Sequence, residues 1–144
     1  MSAAVKPTAG DWSRTGDEHT DTYYWEAIMN IEITEHVIRI VVIAPRDRVD
    51  SFTAPDLRER LHAILDDGGK NLVIDLSQTP FLDSAGMAVL VSALKRSRQL
   101  DGDTKLVWPQ QEAARRVLHL TKFDRVFDMT DTAEAAIVRF SVLD

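Results

Sequence analysis

Asp83-Ser84-Ala85-Gly86 is the stretch of this 144-residue chain whose residue types and spacing best suit chemistry. Asp and Ser are both strong helix N-cap residues, because their side-chain oxygens accept hydrogen bonds from the open amides of a first turn. Apolar residues follow at Met87, Leu90, Val91 and Leu94, spaced i, i+3, i+4, i+7, which predicts a helix starting at Ser84. Ala85 and Gly86 keep the surface beside the hydroxyl low, which lets another protein approach closely. Two roles fit these residues: Asp83 and Ser84 as plain helix caps, or Ser84 as an accessible hydroxyl on an interaction face.

Other chemistries find little support. The four histidines, His19, His36, His62 and His119, fall on different predicted elements without ligand spacing, so no metal site is proposed. Neither GxxxxGK[ST] nor GxGxxG occurs; no nucleotide cofactor is expected, and any phosphate must come from a partner. No nucleophile, base and oxyanion donor converge, so the chain reads as a non-enzyme. The absence of cysteine excludes disulfides, thiolate catalysis and cysteine metal sites. A net charge of −6 argues against nonspecific binding to nucleic acid or an anionic membrane. No window approaches the roughly 18 apolar residues of a membrane span, and the N-terminus lacks a secretory pattern, so a cytoplasmic protein is expected.

The elements around the motif follow from local pattern. Leu72, Val73, Ile74, Asp75 and Leu76 form the nearly continuous apolar run of a strand covered on both faces, which places it centrally in a parallel sheet. Strand, short loop and helix then put Ser84 at the carboxyl edge of the sheet, where open α/β folds carry their working residues. Phe81 and Leu82 suggest that the loop is pinned by packing. Upstream, residues 1–25 read as a flexible N-terminal tail ahead of a single domain spanning 26–144. Tyr23, Tyr24 and Trp25 fit a cover over an exposed edge or end of the core, or an aromatic binding site. Two strands joined by a tight turn at Glu35-His36 are predicted over Ile28–Ile33 and Val37–Ile43. Ser51 or Thr53 caps the next helix, with a Thr53–Asp56 capping box, Pro55 in the first turn, a stripe of Leu57, Leu61, Ile64 and Leu65, and a stop at Gly68-Gly69. Downstream come a strand at Lys105–Trp108, a helix through Ala113, Ala114, Val117 and Leu118, a brief strand at Val126-Phe127, and a last helix capped by Asp131 and Glu134. The order β-β-α-β-α-β-α-β-α predicts an α/β fold, a mixed sheet of about five strands with four helices packed on it.

The run from Leu72 to Gly86 resembles the signature of the STAS domain of bacterial anti-sigma factor antagonists, in which an apolar strand leads through a loop to a D-S-x-G segment opening a helix. The resemblance extends from about Ile28 to Phe140 and includes Arg48-Val49-Asp50 ahead of a capped helix and Lys105-Leu106-Val107 after an Asp-Gly-Asp turn. It implies that Ser84, beside Asp83, is phosphorylated by a cognate anti-sigma factor that is also an ATP-dependent serine kinase; a phosphate so placed is expected to meet free backbone N–H groups and the positive end of the helix macrodipole, so that the fold tolerates it. It further implies a phosphatase, and a partner-binding face made of Asp50, Asp83, Ser84, Ala85 and Gly86. Asp47 stands where the family often has the glycine of a G-x-x-D turn, and Ala85 stands where many members have a second serine.

The implied function is that of an anti-sigma factor antagonist, which binds the kinase when unphosphorylated, frees a sigma factor, and is switched off at Ser84. A STAS module that binds a small ligand or acts as a scaffold would use the same fold without phosphorylation. A receiver domain with Asp83 as acceptor would need an acidic pair after the first parallel strand, where this chain has Ala44-Pro45.

Overall fold

A computed structural model describes residues 12–15, 20–25 and 31–141. The chain divides into two compact units, Met1–Ile38 and Arg39–Asp144.

The first unit holds β1 (Trp12–Thr15), β2 (Thr20–Trp25) and β3 (Ile31–His36), an antiparallel sheet in the order β1-β2-β3. Two strands therefore lie within the stretch read as tail, while Met1 to Asp11 fall outside the described residues. Tyr23, Tyr24 and Trp25 sit in β2, opposite Ile33, Glu32 and Ile31 of β3; their side chains lie outside the described part. Ile28 does as well. The predicted turn at Glu35-His36 is not formed, because both residues remain in β3 and pair with Asp21 and Thr20. β3 takes β2 as its partner, rather than hairpinning onto the strand that follows.

The second unit is built on β4 (Val41–Ile43), β5 (Asn71–Asp75), β6 (Asp103–Val107) and β7 (Asp128–Thr130), all parallel and in that order. Each strand is joined to the next by a helix: α1 (Ala54–Asp66), α2 (Ser84–Gln99) and α3 (Glu112–Leu120), with α4 (Ala133–Ser141) last. The α/β class and the four helices are those predicted, with parallel and antiparallel pairing segregated into separate sheets. β5 is central, and its apolar run serves both faces. Leu72 and Ile74 point into the larger core with Leu61 and Leu65 of α1, Leu90 and Leu94 of α2 and Leu118 of α3. Val73 points the other way, into a smaller core with Val107 of β6 and Ala136 of α4.

Several local expectations are corrected. The Val126-Phe127 strand is instead a turn after a short 3-10 helix, Phe123–Arg125; both amides donate back to the Phe123 carbonyl, and the strand begins at Asp128. α4 is capped by Thr132, whose Oγ1 accepts from Ala135 N at 3.1 Å, and not by Asp131. α1 stops at Gly68-Gly69 as predicted, and the structure shows the stop to be a Schellman motif: Gly69 N donates to Ile64 O, Gly68 N to Leu65 O, and Gly68 takes a φ of +92° that side chains disfavour.

Candidate functional site

Two loops at the carboxyl edge of the parallel sheet build the site: the connection from β4 to α1, and the connection from β5 to α2. They are stitched by a parallel bridge between Val49 and Leu82, in which Val49 N donates to Phe81 O at 3.0 Å and Asp83 N to Val49 O at 3.2 Å. Val49 and Leu82 are buried, so the bridge carries apolar packing as well as hydrogen bonds. Thr79, also buried, ties the same loops further back by donating from Oγ1 to Pro45 O at 2.8 Å. Above the bridge, the Arg48 guanidinium lies 4.6 Å from the Phe81 ring centre.

Asp83 is the N-cap of α2. Its Oδ1 accepts from Ala85 N at 2.9 Å and Gly86 N at 3.0 Å, while Oδ2 accepts from Ser51 N at 3.2 Å. One carboxylate thus starts a helix and holds the neighbouring loop. The expectation that a phosphate on Ser84 would meet free amides is corrected accordingly, since Asp83 already occupies the second and third amides of the turn. Ser84 is the first residue of α2 and is exposed.

Asp50 organises the other loop. Its Oδ1 accepts from Phe52 N at 3.0 Å and Thr53 N at 3.1 Å, and its carbonyl accepts from Ala54 N at 2.7 Å. The Thr53 hydroxyl donates to Arg48 O at 2.6 Å and accepts from Asp50 N at 3.0 Å. Thr53 is the N-cap by position, yet its side chain caps nothing, so the Thr53–Asp56 box is not formed; Asp50 takes over the work of ordering the turn. The Thr53 amide above all, then the Phe52 amide, the Thr53 hydroxyl and Arg48, hold the Asp50 carboxyl below its ordinary range. Asp47 needs no left-handed backbone: among described residues, only Asp101 and Lys122 are non-glycines with positive φ.

Of the five predicted face residues, the fold brings Asp50, Asp83 and Ser84 together and leaves Ala85 half-buried beside them. Gly86 is placed differently. It is buried, and a Cβ there would lie 2.6 Å from the Val49 carbonyl oxygen. Its missing side chain admits the partner loop of the same chain, so it lies beneath the face rather than on it. Sequence reasoning missed Phe52, a ring 91% exposed on the turn between Asp50 and Thr53. The signal was present: an aromatic stands in a capping turn where small polar residues are the rule.

A cleft of about 250 Å³ opens beside the β4–α1 connection, lined by charged side chains including Arg46, Arg48, Asp56 and Arg60. It is smaller than the ~300–1,000 Å³ pockets that hold small molecules. Among the described residues, no group of three or more His, Asp or Glu is arranged to hold a metal, and no helix is long and apolar enough to cross a membrane.

Two bridged loops presenting a helix-start serine at the carboxyl edge of a parallel sheet define a class, and comparison with known proteins names it. Residues 29–136 match the STAS domain. An anti-sigma-B factor antagonist of Listeria monocytogenes is 33% identical over 78 residues, 54% of this chain and 68% of that protein. The anti-sigma-F factor antagonist RsfB of Mycobacterium tuberculosis is 29% identical over 99 residues, 68% of this chain and 79% of its own length. The solved fold of Bacillus SpoIIAA, an anti-sigma factor antagonist, is similar in its unphosphorylated form, with a TM-score of 0.59 at 21% identity over 76% of this chain and 96% of that one. Its phosphorylated form gives 0.56 at 21% identity over 74% and 96%. The chain belongs to the STAS domain family. Within that family it falls among the anti-sigma factor antagonists.

Proposed function

We propose that the unphosphorylated chain binds a cognate anti-sigma factor through the face of Asp50, Asp83, Ser84 and Ala85, and so frees a sigma factor for transcription. The anti-sigma factor is also a serine kinase. It transfers the γ-phosphoryl group of its own ATP to Ser84 Oγ, which loses its proton as the new P–O bond forms and ADP departs; a phosphatase later restores the hydroxyl. The observation that carries this reading is the exposed Ser84 at the first position of α2, between two loops locked together by Asp83. Both Asp83 oxygens are engaged by amides, so the base that takes the serine proton comes from the kinase. The chain acts as a regulator in this scheme and not as an enzyme.

Charge supplies the switch. A phosphoserine brings about two negative charges at neutral pH. At ~5 Å from a carboxylate supplied by the partner it is repelled by about 2 to 7 kcal/mol for effective dielectric constants between 80 and 20. Turning a complex from almost fully formed to almost absent takes about 5.5 kcal/mol of differential affinity. Charge and bulk at one residue therefore suffice to release a partner without refolding the chain.

The test is a pair of variants. Ser84→Ala is expected to bind the kinase as tightly as the wild type and to take no phosphate in the presence of ATP, by intact-mass measurement; Ser84→Asp is expected to bind at least about 100-fold more weakly. Equal binding by the two variants removes Ser84 from the switch.

A further inference from the structure

Phe52 is the most exposed large apolar side chain among the described residues, at 91%. Isolated exposed apolar residues are common on soluble proteins and need no explanation by themselves. Phe52 differs from the others in how it is held and where. Its own amide and the next one are bonded to Asp50 Oδ1, and the amide before it is bonded to Asp83 Oδ2, the carboxylate that also caps α2. Three consecutive amides, of Ser51, Phe52 and Thr53, are therefore fixed. Ser51 and Asp83 are in direct contact, and Phe52 and Ser84 are each the next residue along their loops. The ring contributes almost nothing to this fold's own packing, and a turn of this kind is ordinarily built from polar residues.

We infer that Phe52 is an apolar anchor of the partner-binding face, inserting its ring into an apolar pocket of the anti-sigma factor kinase beside the site that phosphorylates Ser84. The inference rests on the function proposed above and adds what gives the unphosphorylated complex its affinity. Polar contacts around Ser84 align the hydroxyl. An aromatic ring that leaves water on docking supplies binding, and aromatic residues dominate the energetics of protein interfaces. Because its backbone is already ordered by Asp50 and Asp83, the ring docks with little further loss of loop entropy. The occupant is a folded protein surface and not a small ligand, because the ring stands on a convex turn and does not line the nearby cleft.

The experiment measures the affinity of purified full-length chain for the purified anti-sigma factor kinase of the same organism, together with kcat and KM for phosphorylation, for wild type, Phe52→Ala, Phe52→Leu and Ser84→Asp. Phe52→Ala is expected to raise Kd and KM by about 10- to 100-fold, the range that follows from burying one aromatic side chain. Its kcat stays within about twofold of wild type, and Phe52→Leu recovers most of the binding. The melting temperature of Phe52→Ala stays at the wild-type value, since the ring is exposed. Binding by Phe52→Ala within about threefold of wild type, while Ser84→Asp is lost, overturns the anchor and leaves the proposed function standing. A fall in kcat with Kd unchanged overturns it equally. Failure of the wild type to bind the kinase overturns the proposed function and the anchor together.

Discussion

Asp83 and Asp50 divide the labour of the site between them, and their chemistry differs although both are carboxylates accepting backbone amides. Asp83 spans the two loops, so its loss both uncaps α2 and frees the Ser51 amide. Asp50 acts within its own turn, and the Thr53 and Phe52 amides, the Thr53 hydroxyl and Arg48 keep its carboxyl below the ordinary value of 3.8. A carboxyl depressed in the folded state contributes stability that is present above its unfolded value and lost as pH falls through the folded one. Asp50→Asn removes the titration while keeping an acceptor oxygen. The wild type is expected to be the more stable of the two above the ordinary carboxylate range, with the gap closing as pH falls through the depressed folded-state value, as urea midpoints measured on the acid side of neutrality would check. A gap that stays constant with pH would mean that the Asp50 charge plays no part in ordering the turn.

At the scale of elements, the site depends on how closely α2 approaches the β4–α1 connection. The helix begins where it does because Asp83 caps it and Met87, Leu90 and Leu94 bury one of its faces. Gly86 sets the spacing. Alanine in a helix ordinarily gains about 1 kcal/mol over glycine, but here its Cβ would stand 2.6 Å from the Val49 carbonyl oxygen and 2.9 Å from Val49 Cγ1. Backbone must move to admit it, and overpacking of this kind costs about 1–3 kcal/mol. The clash matches or outweighs the propensity gain, so Gly86→Ala is expected to lower unfolding free energy by up to about 2 kcal/mol in chemical denaturation. It also displaces the Val49–Leu82 bridge, which shifts the amide resonances of Val49 and Asp83. Raised stability would show that the loop gives way freely.

For the whole molecule, the exposed Ser84 stands apart from the packing that holds the fold together. The larger core, from α1, α2, α3 and the sheet, lies beneath the site and contains none of its polar side chains. A phosphate on the exposed Ser84 meets the carboxylate of Asp83 and a partly satisfied helix start; in solvent the repulsion is about 2 kcal/mol at ~5 Å and the macrodipole offsets up to about 1 kcal/mol of it, so the fold is expected to lose about 1 kcal/mol, a fall of a few degrees in Tm. Scanning calorimetry on the phosphorylated and unphosphorylated forms measures this. A loss of cooperative unfolding in the phosphorylated form would make the switch conformational. What the sequence determined alone was local: the helix start at Ser84 from capping residues and a 3.6-residue apolar period, the central strand from its unbroken apolar run, the stop at Gly68-Gly69. These depend on neighbours a few residues apart. The tertiary structure decided what depends on distant ones: Asp83 reaching Ser51 across 32 positions, Gly86 making room for Val49, β3 pairing with β2, and Phe52 standing in solvent beside the serine. Periodicity along a chain encodes which face of an element is buried, whereas which loops meet, and how closely, is fixed only when the packed sheet and helices bring their ends to one edge.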